Sequence, residues 1–315
     1  MSNGLRFCAI ALALGGCAGS PAQLAPVAAP AHRIETPRDD GRGSWMSPEA
    51  KRSDLLYVSD YNAYEVYAYS YPRGKLEGTL RGFGPYPAGL CVDKKQNVWV
   101  SVLDGYELIE YAHGGSSPLR TLSDAHEFPI GCSVDPTTGN LAVANLVSSY
   151  GDGSVSVFAD ASGTATTYSD SDIREVWACG YDNQGDLFVD GVNDSDLFEF
   201  AELPKGSGTL TTIALDQSIE WPGGIQWDGK YLAVGDAEAG VIYQTNGGGG
   251  HVVGSTTLDS TDYVRQFWKV GSHVVGASFY TATVGVWPYP AGGTAKKTLT
   301  NFQNPFGVTI SKAKR

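Results

Sequence analysis

At 315 residues, 42% of them hydrophobic, the chain is long enough to bury a sizeable core, and its 40 glycines, 17 tyrosines and 7 tryptophans point to many turns and aromatic-rich strands. Only 18% of the residues are charged and the formal net charge is −12, so a nucleic-acid backbone is repelled and is excluded as a main partner. An all-β domain is the expectation.

Residues 1–16 carry Arg6 and then an apolar run from Phe7 to Leu14, too short to span a bilayer permanently and of the length of a signal peptide. The run ends in Leu14-Gly15-Gly16-Cys17, which resembles the lipobox of bacterial lipoproteins. That resemblance implies that Cys17 becomes the lipid-modified N-terminus and that the protein is exported and anchored to the cell envelope, at the outer membrane if the cell has one. A body this negative is repelled by anionic headgroups, so membrane contact is expected through the anchor alone. Residues 17–53, rich in Ala and Pro and then in charge, show no apolar periodicity and read as a flexible tether, with Trp45-Met46 as a stretch that docks on the domain or on a partner.

From residue 54 to 315 the chain repeats itself. "PAGLCVDKKQNVWVSV", "PIGCSVDPTTGNLAVAN", "WACGYDNQGDLFVDG" and "PGGIQWDGKYLAVGD" superpose Gly89, Gly131, Gly180 and Gly224, each followed by Asp93, Asp135, Asp182 or Asp228. Weaker copies put Phe267 and Gly307 at the same place. A period of forty to fifty residues with several short strands per unit is that of a β-propeller blade. In the unit starting at Gly89 the expected strands are 89–92, 98–102, 107–112 and 119–122, and the repeated Asp is a turn former. The last unit, 304–310, has an inner strand and no more, while "DLLYVSDYNAYEVYAYSYPRGKLEGTL" has three strands and no inner one. Pairing 306–310 with 55–59 completes one blade, gives a six-bladed β-propeller of four-stranded blades, and removes the open edges that promote aggregation; a monomer is expected.

"LLYVSDYNAYEVYAY", with weaker echoes in "LAVAN", "LFVDG" and "LAVGD", resembles the NHL-repeat propellers. That resemblance implies a fold more than a reaction, and leans towards binding.

In such a ring the loops entering each inner strand, and those joining second to third strands, surround one mouth of the central channel. The first set holds Tyr86, His126-Glu127-Phe128, Glu175-Val176-Trp177, Glu220-Trp221 and Asp262-Tyr263 with Arg265; the second holds Asp60, Tyr61, Asp104, Tyr106, Asn145, Asp190, Asn193, Asp194, Asp236 and Glu238. The candidate binding residues are Tyr86, His126, Glu127, Glu175, Trp177, Glu220, Trp221, Asp60, Asn145, Asp190 and Asp236, an acidic, aromatic-walled funnel suited to a small molecule, a glycan or an envelope protein, with no cofactor. The competing reading has the rings packing between blades and the carboxylates keeping the surface soluble.

No nucleophile elbow, His-Glu-x-x-His, phosphate loop or Cys-x-x-Cys is present, so no catalytic residue is assigned. Gluconolactonase-type propellers hold a divalent metal with a Glu, two Asn and an Asp; Asn145, Asn193 and Asp236 match that set in part. Streptogramin-lyase relatives use a channel His and an acid, for which His126 with Glu175 or Glu220 stands in. A propeller enzyme with one divalent metal such as Ca is therefore the alternative. Export permits disulfides, and Cys132 and Cys179, near the starts of consecutive inner strands, are the expected pair, leaving Cys91 as a buried thiol.

Overall fold

The computed structural model describes residues 43–314. The signal peptide, Cys17 and the tether up to residue 42 lie outside the described residues. Six antiparallel sheets form a closed ring of blades. Blade 1 is built from Pro305–Ser311 as inner strand, then Leu55–Asp60, Glu65–Ser70 and Leu76–Leu80. Blade 2 comprises Pro87–Val92, Val98–Val102, Glu107–Tyr111 and Pro118–Ser123, close to the strands expected from sequence. Blade 3 comprises Glu127–Val134, Leu141–Ser148, Ser154–Phe158 and Thr166–Tyr168. Blade 4 follows with Glu175–Tyr181, Leu187–Val192, Phe198–Leu203 and the short Thr211–Thr212. Blade 5 is Pro222–Trp227, Leu232–Asp236, Val241–Thr245 and Val252–Thr257, and blade 6 is Val264–Val270, His273–Ser278, Thr283–Pro288 and Lys297–Leu299. No helix among the described residues is long and apolar enough to cross a membrane.

The ring closes as the sequence implies: Leu56 pairs with Ile310, Tyr57 with Thr309 and Val58 with Val308. Blade 1 carries one strand more than expected, because Trp45–Met46 adds to its outer edge, Trp45 opposite Thr79 and Met46 opposite Gly78. A short 3-10 turn at Pro48–Arg52 follows and buries Ala50 completely. The folded body therefore starts about ten residues before the expected boundary at 54, because backbone pairing and one buried alanine need no apolar periodicity to hold a segment down.

Each sheet is sandwiched between its neighbours, so the second strands do not alternate. Val98–Val102 and Leu55–Asp60 are buried at every position, whereas the outer strand Pro118–Ser123 is mostly exposed. The repeated Asp acts on the turns as expected: Asp182 accepts the amides of Gln184, Gly185 and Asp186, and Asp228 those of Lys230 and Tyr231.

Two expectations of register need correction. In blade 3 Gly131 sits opposite Ala144; the residue in that place in blade 4 is Ala178, opposite Asp190, and in blade 6 it is Gln266, opposite Ala277. Gly180 and Phe267, which the repeat aligns there, lie two residues and one residue further on. Gly89, Gly131 and Gly224 stand four residues before Asp93, Asp135 and Asp228, and four residues before Asp182 is Ala178; aligning blade 4 on its own glycine shifts it by two, and blade 6 has no turn Asp to fix its register.

The same register overturns the expected disulfide. Cys132 is bonded to Cys91, with Cα atoms 5.7 Å apart, and Cys179 is the buried free thiol. Cys132 faces Val143 and Cys179 faces Val189, equivalent places on neighbouring blades, so both side chains point to the same side of their own sheets. Cys132 thus turns towards blade 2 and away from Cys179. Cys91, opposite Trp99, is one place further along, where strand alternation turns it back towards blade 3.

Candidate functional site

At the mouth end of the channel the ladder along every inner strand is irregular, at Pro87/Leu90, Pro129/Gly131, Val176/Ala178, Pro222/Ile225, Val264/Gln266 and Pro305/Val308. A bulge re-aims side chains, and here it turns the entry residues over the channel. The entry residue before the inner strand has left-handed backbone in three blades: Tyr86 (φ 67°), His126 (φ 72°) and Tyr263 (φ 55°). Bulky rings seldom adopt that conformation, and such strain concentrates at functional sites.

The rings make a nearly continuous wall. Trp177 meets Trp221 edge-on at 5.9 Å, Trp221 meets Tyr263 at 6.3 Å, and Tyr263 meets Tyr280 at 5.1 Å. Tyr280 packs on Phe279 at 5.2 Å, Phe279 on Tyr61 at 6.0 Å, and Tyr61 stacks on Tyr86 at 4.5 Å. Within this wall lies Arg265, its guanidinium 4.7 Å from the centres of Trp177 and Tyr263 and 5.4 Å from that of Phe279. Burial pulls its pKa down, and the phenols of Tyr280, Tyr263 and Tyr61 pull it back up. Its Nε and Nη1 are sealed from water and have no hydrogen-bond partner, and the same holds for the indole Nε1 of Trp221.

Beneath Arg265 the channel narrows to a chamber of about 20 Å³, room for roughly one water, lined by Gly89, Gly131, Ala178, Gly224, Gln266 and Phe306 among others. Gln266 bridges inner strands across it: its Oε1 accepts the amides of Leu90 (3.0 Å) and Val308 (3.1 Å), and its Nε2 donates to the carbonyl of Leu90 (2.7 Å). Opposite, the backbones touch without side chains between them; a Cβ at Gly89 would lie 2.6 Å from the Gly131 Cα. The mouth is thus a cup rather than a pore.

The expected site residues separate into two groups. Tyr86, Trp177 and Trp221 belong to the ring wall, and Glu175 lies beside it, paired with Arg174 and accepting from the Trp177 indole at 3.2 Å. Glu220 is exposed on the loop that enters blade 5. By contrast, the second-strand residues are structural. Asp60 is fully buried and accepts the amides of Gln303 and Asn304; Asp236 accepts those of Glu220 and Trp221, and Ser278 holds Asp262 in the same way. These groups clamp the entry loops and do not line the cup. Asn145, also fully buried, donates to Ser154 and Ser156 in a network that reaches Asp124 and Glu127. His126 is exposed and packs on Tyr150, ring centres 4.9 Å apart.

Asp190 is a different case. It occupies the place that Ser59, Ser101, Ala144, Gly235 and Ala277 fill in the other blades. Wholly buried, neither oxygen has a hydrogen-bond partner, and burial pushes its pKa up to about 8 against the weaker pull of the Ala178 and Gly224 amides.

In the partial metal set the Asn145 Oδ1 is buried without a partner, while the other two members are engaged. Asp236 spends its oxygens on backbone amides, and Asn193 accepts the amides of Ser195 and Leu197 and donates to Glu199. Among the described residues no three His, Cys, Asp or Glu side chains converge as a metal site. Arg265 was placed among the mouth loops by sequence, but spacing could not reveal it as the centre of the cup or Gln266 as its floor; the signal for both was that blade 6 carries "VRQFWK" where others carry small residues.

No family model matches the chain, and no curated protein matches it in sequence. Among solved structures it is similar to a chain from a structure titled "Crystal structure of Nidogen/Laminin Complex", with 14% sequence identity and a TM-score of 0.68 over 84% of this chain and 100% of that one. A likeness at that identity is one of architecture: the chain folds as a β-propeller.

Proposed function

We infer that this protein is a binding propeller: a monomeric, exported, lipid-anchored body that seats a small molecule, a glycan or part of an envelope protein in the aromatic cup. The lipobox-like Leu14-Gly15-Gly16-Cys17 supports the anchoring, and the NHL-like repeat supports binding over catalysis. The observation that carries the reading is the ring wall. It gathers Trp177, Trp221, Tyr263, Tyr280, Tyr61 and Tyr86 from five blades into one contiguous surface. The strained entry residues and the carboxylate clamps on their loops hold the rings in place.

The test reads the indoles of the cup directly. Tryptophan emission is recorded while the mature protein is titrated with a panel of oligosaccharides and short peptides, then repeated with Trp177→Phe and Trp221→Phe. A ligand that shifts wild-type emission and loses that signal in the double variant supports the reading. A panel without any shift, or a shift that survives both substitutions, refutes it.

A further inference from the structure

The unpartnered polar atoms of the ring wall are donors, Nε and Nη1 of Arg265 and Nε1 of Trp221, whereas the unpartnered oxygens of Asp190 and Asn145 belong to second strands. Three of the acids nearby are already engaged, Asp236 with backbone amides, Glu175 with Arg174 and the Trp177 indole, and Glu238 with the Tyr263 hydroxyl at 3.2 Å. Among the described residues no carboxylate forms an ion pair with Arg265. Ring faces stabilise a cation from above and below, and the Tyr280 hydroxyl hydrogen-bonds the guanidinium, yet Nε and Nη1 are left without acceptors. A chain with a net charge of −12 has therefore placed at the centre of this aromatic surface a cation that no carboxylate among the described residues pairs with.

We propose that the cup takes a monocarboxylate with a flat apolar part, its carboxylate on Arg265 and the Trp221 indole and its apolar part against the rings. This rests on the cup being the binding site. The acceptor reaches the guanidinium by displacing Tyr280, which is 58% exposed, held by edge-on contacts with Tyr263 and Phe279, and hydrogen-bonded to Arg265, so that the carboxylate replaces a neutral hydroxyl acceptor. Carboxylates on the surrounding loops, Glu220 and Asp262 among them, disfavour a second negative charge on the ligand.

The experiment titrates the mature protein with phenylacetate, its neutral counterpart phenylacetamide and the dianion phenylsuccinate, read by tryptophan emission and calorimetry. The expected result is saturable phenylacetate binding, with the amide and the dianion each weaker by roughly tenfold or more, and a loss of roughly tenfold to a hundredfold for phenylacetate in Arg265→Gln. Rising salt should weaken the phenylacetate affinity. An Arg265→Met variant should melt within a few degrees of wild type, because no carboxylate among the described residues pairs with the cation. Equal binding of acid and amide, retention in Arg265→Gln, no binding of phenylacetate at millimolar concentration, or a melting loss above ~10 °C in Arg265→Met would each overturn the proposal. If a neutral glycan still perturbs Trp177 and Trp221 while phenylacetate does not, the carboxylate site falls and the binding cup stands; if neither does, both fall.

Discussion

Gln266 offers the sharpest test of how the ring is held shut. Truncation in Gln266→Ala removes three hydrogen bonds, from the Leu90 amide, from the Val308 amide and to the Leu90 carbonyl. At about 1 kcal/mol each for bonds that are replaced, and 1–3 kcal/mol for groups left bare, the loss ranges from about 3 kcal/mol upward. Water offsets part of this, because the chamber of about 20 Å³ already has room for one and the lost side chain makes room for another. The net expectation is about 2–4 kcal/mol, or a melting temperature lower by roughly 4–12 °C for a domain of this size. Urea denaturation of wild type, Gln266→Ala and the near-isosteric Gln266→Met separates volume from hydrogen bonding. If polar bridging is what matters, Met recovers little. A Gln266→Ala variant within ~0.5 kcal/mol of wild type, or a Met variant as stable as the parent, refutes the argument.

Two further outcomes follow from residues buried at the channel wall. Of the three cysteines among the described residues, Cys179 should alkylate under denaturing, non-reducing conditions and Cys91 and Cys132 should not; burial raises the Cys179 thiol pKa, so in the native protein it should resist labelling. Reduction, or Cys91→Ser, opens a cross-link spanning a sequence separation of 41 and should cost about 4 kcal/mol on the chain-entropy model, read by denaturation with and without reductant. Asp190, with its pKa near 8, keeps a proton that the unfolded chain releases above its ordinary carboxyl range near 4. Its contribution to stability therefore falls as pH rises from about 4 to 8 and is flat outside that window. Asp190→Asn should be near-neutral at pH 4.5 and stabilising by a few kcal/mol at pH 8; equal differences at the two pH values would contradict the burial account.

Much of the ring was legible because its determinants are local. The turn aspartates, the spacing of the second strands and the incomplete last unit each declare themselves within a few residues, and closure of 305–311 onto 55–60 follows from counting strands. The site was half legible. Aromatic entry loops such as Tyr86, Trp177 and Trp221 are visible as loop composition, and they do converge. The acids Asp60 and Asp236 were misplaced for a physical reason: sequence shows a carboxylate at the end of a strand but not the backbone amides, from residues 303–304 and 220–221, that neutralise it. The disulfide failed similarly. Nearness of Cys132 and Cys179 along the repeat says which strands they occupy, whereas pairing depends on which side of the sheet each faces, a matter of one residue of register.

Residues 265 and 266 connect the fold to the cup. Around the waist, five of the six equivalent places hold Gly or Ala, because the inner backbones there approach too closely for more; a Cβ at Gly307 would meet the Ala88 carbonyl at 2.3 Å. Blade 6 alone brings a large polar side chain, and its amide spans the gap by bonding blades 1 and 2 at once. The bulge just before it turns the preceding residue the other way, so that one kink sends Gln266 down to close the channel and Arg265 up among the rings. A closed floor under a cation that has no carboxylate partner among the described residues makes the cup one-sided: the proposed ligand of Arg265 would enter through the ring wall and would not pass on through the propeller.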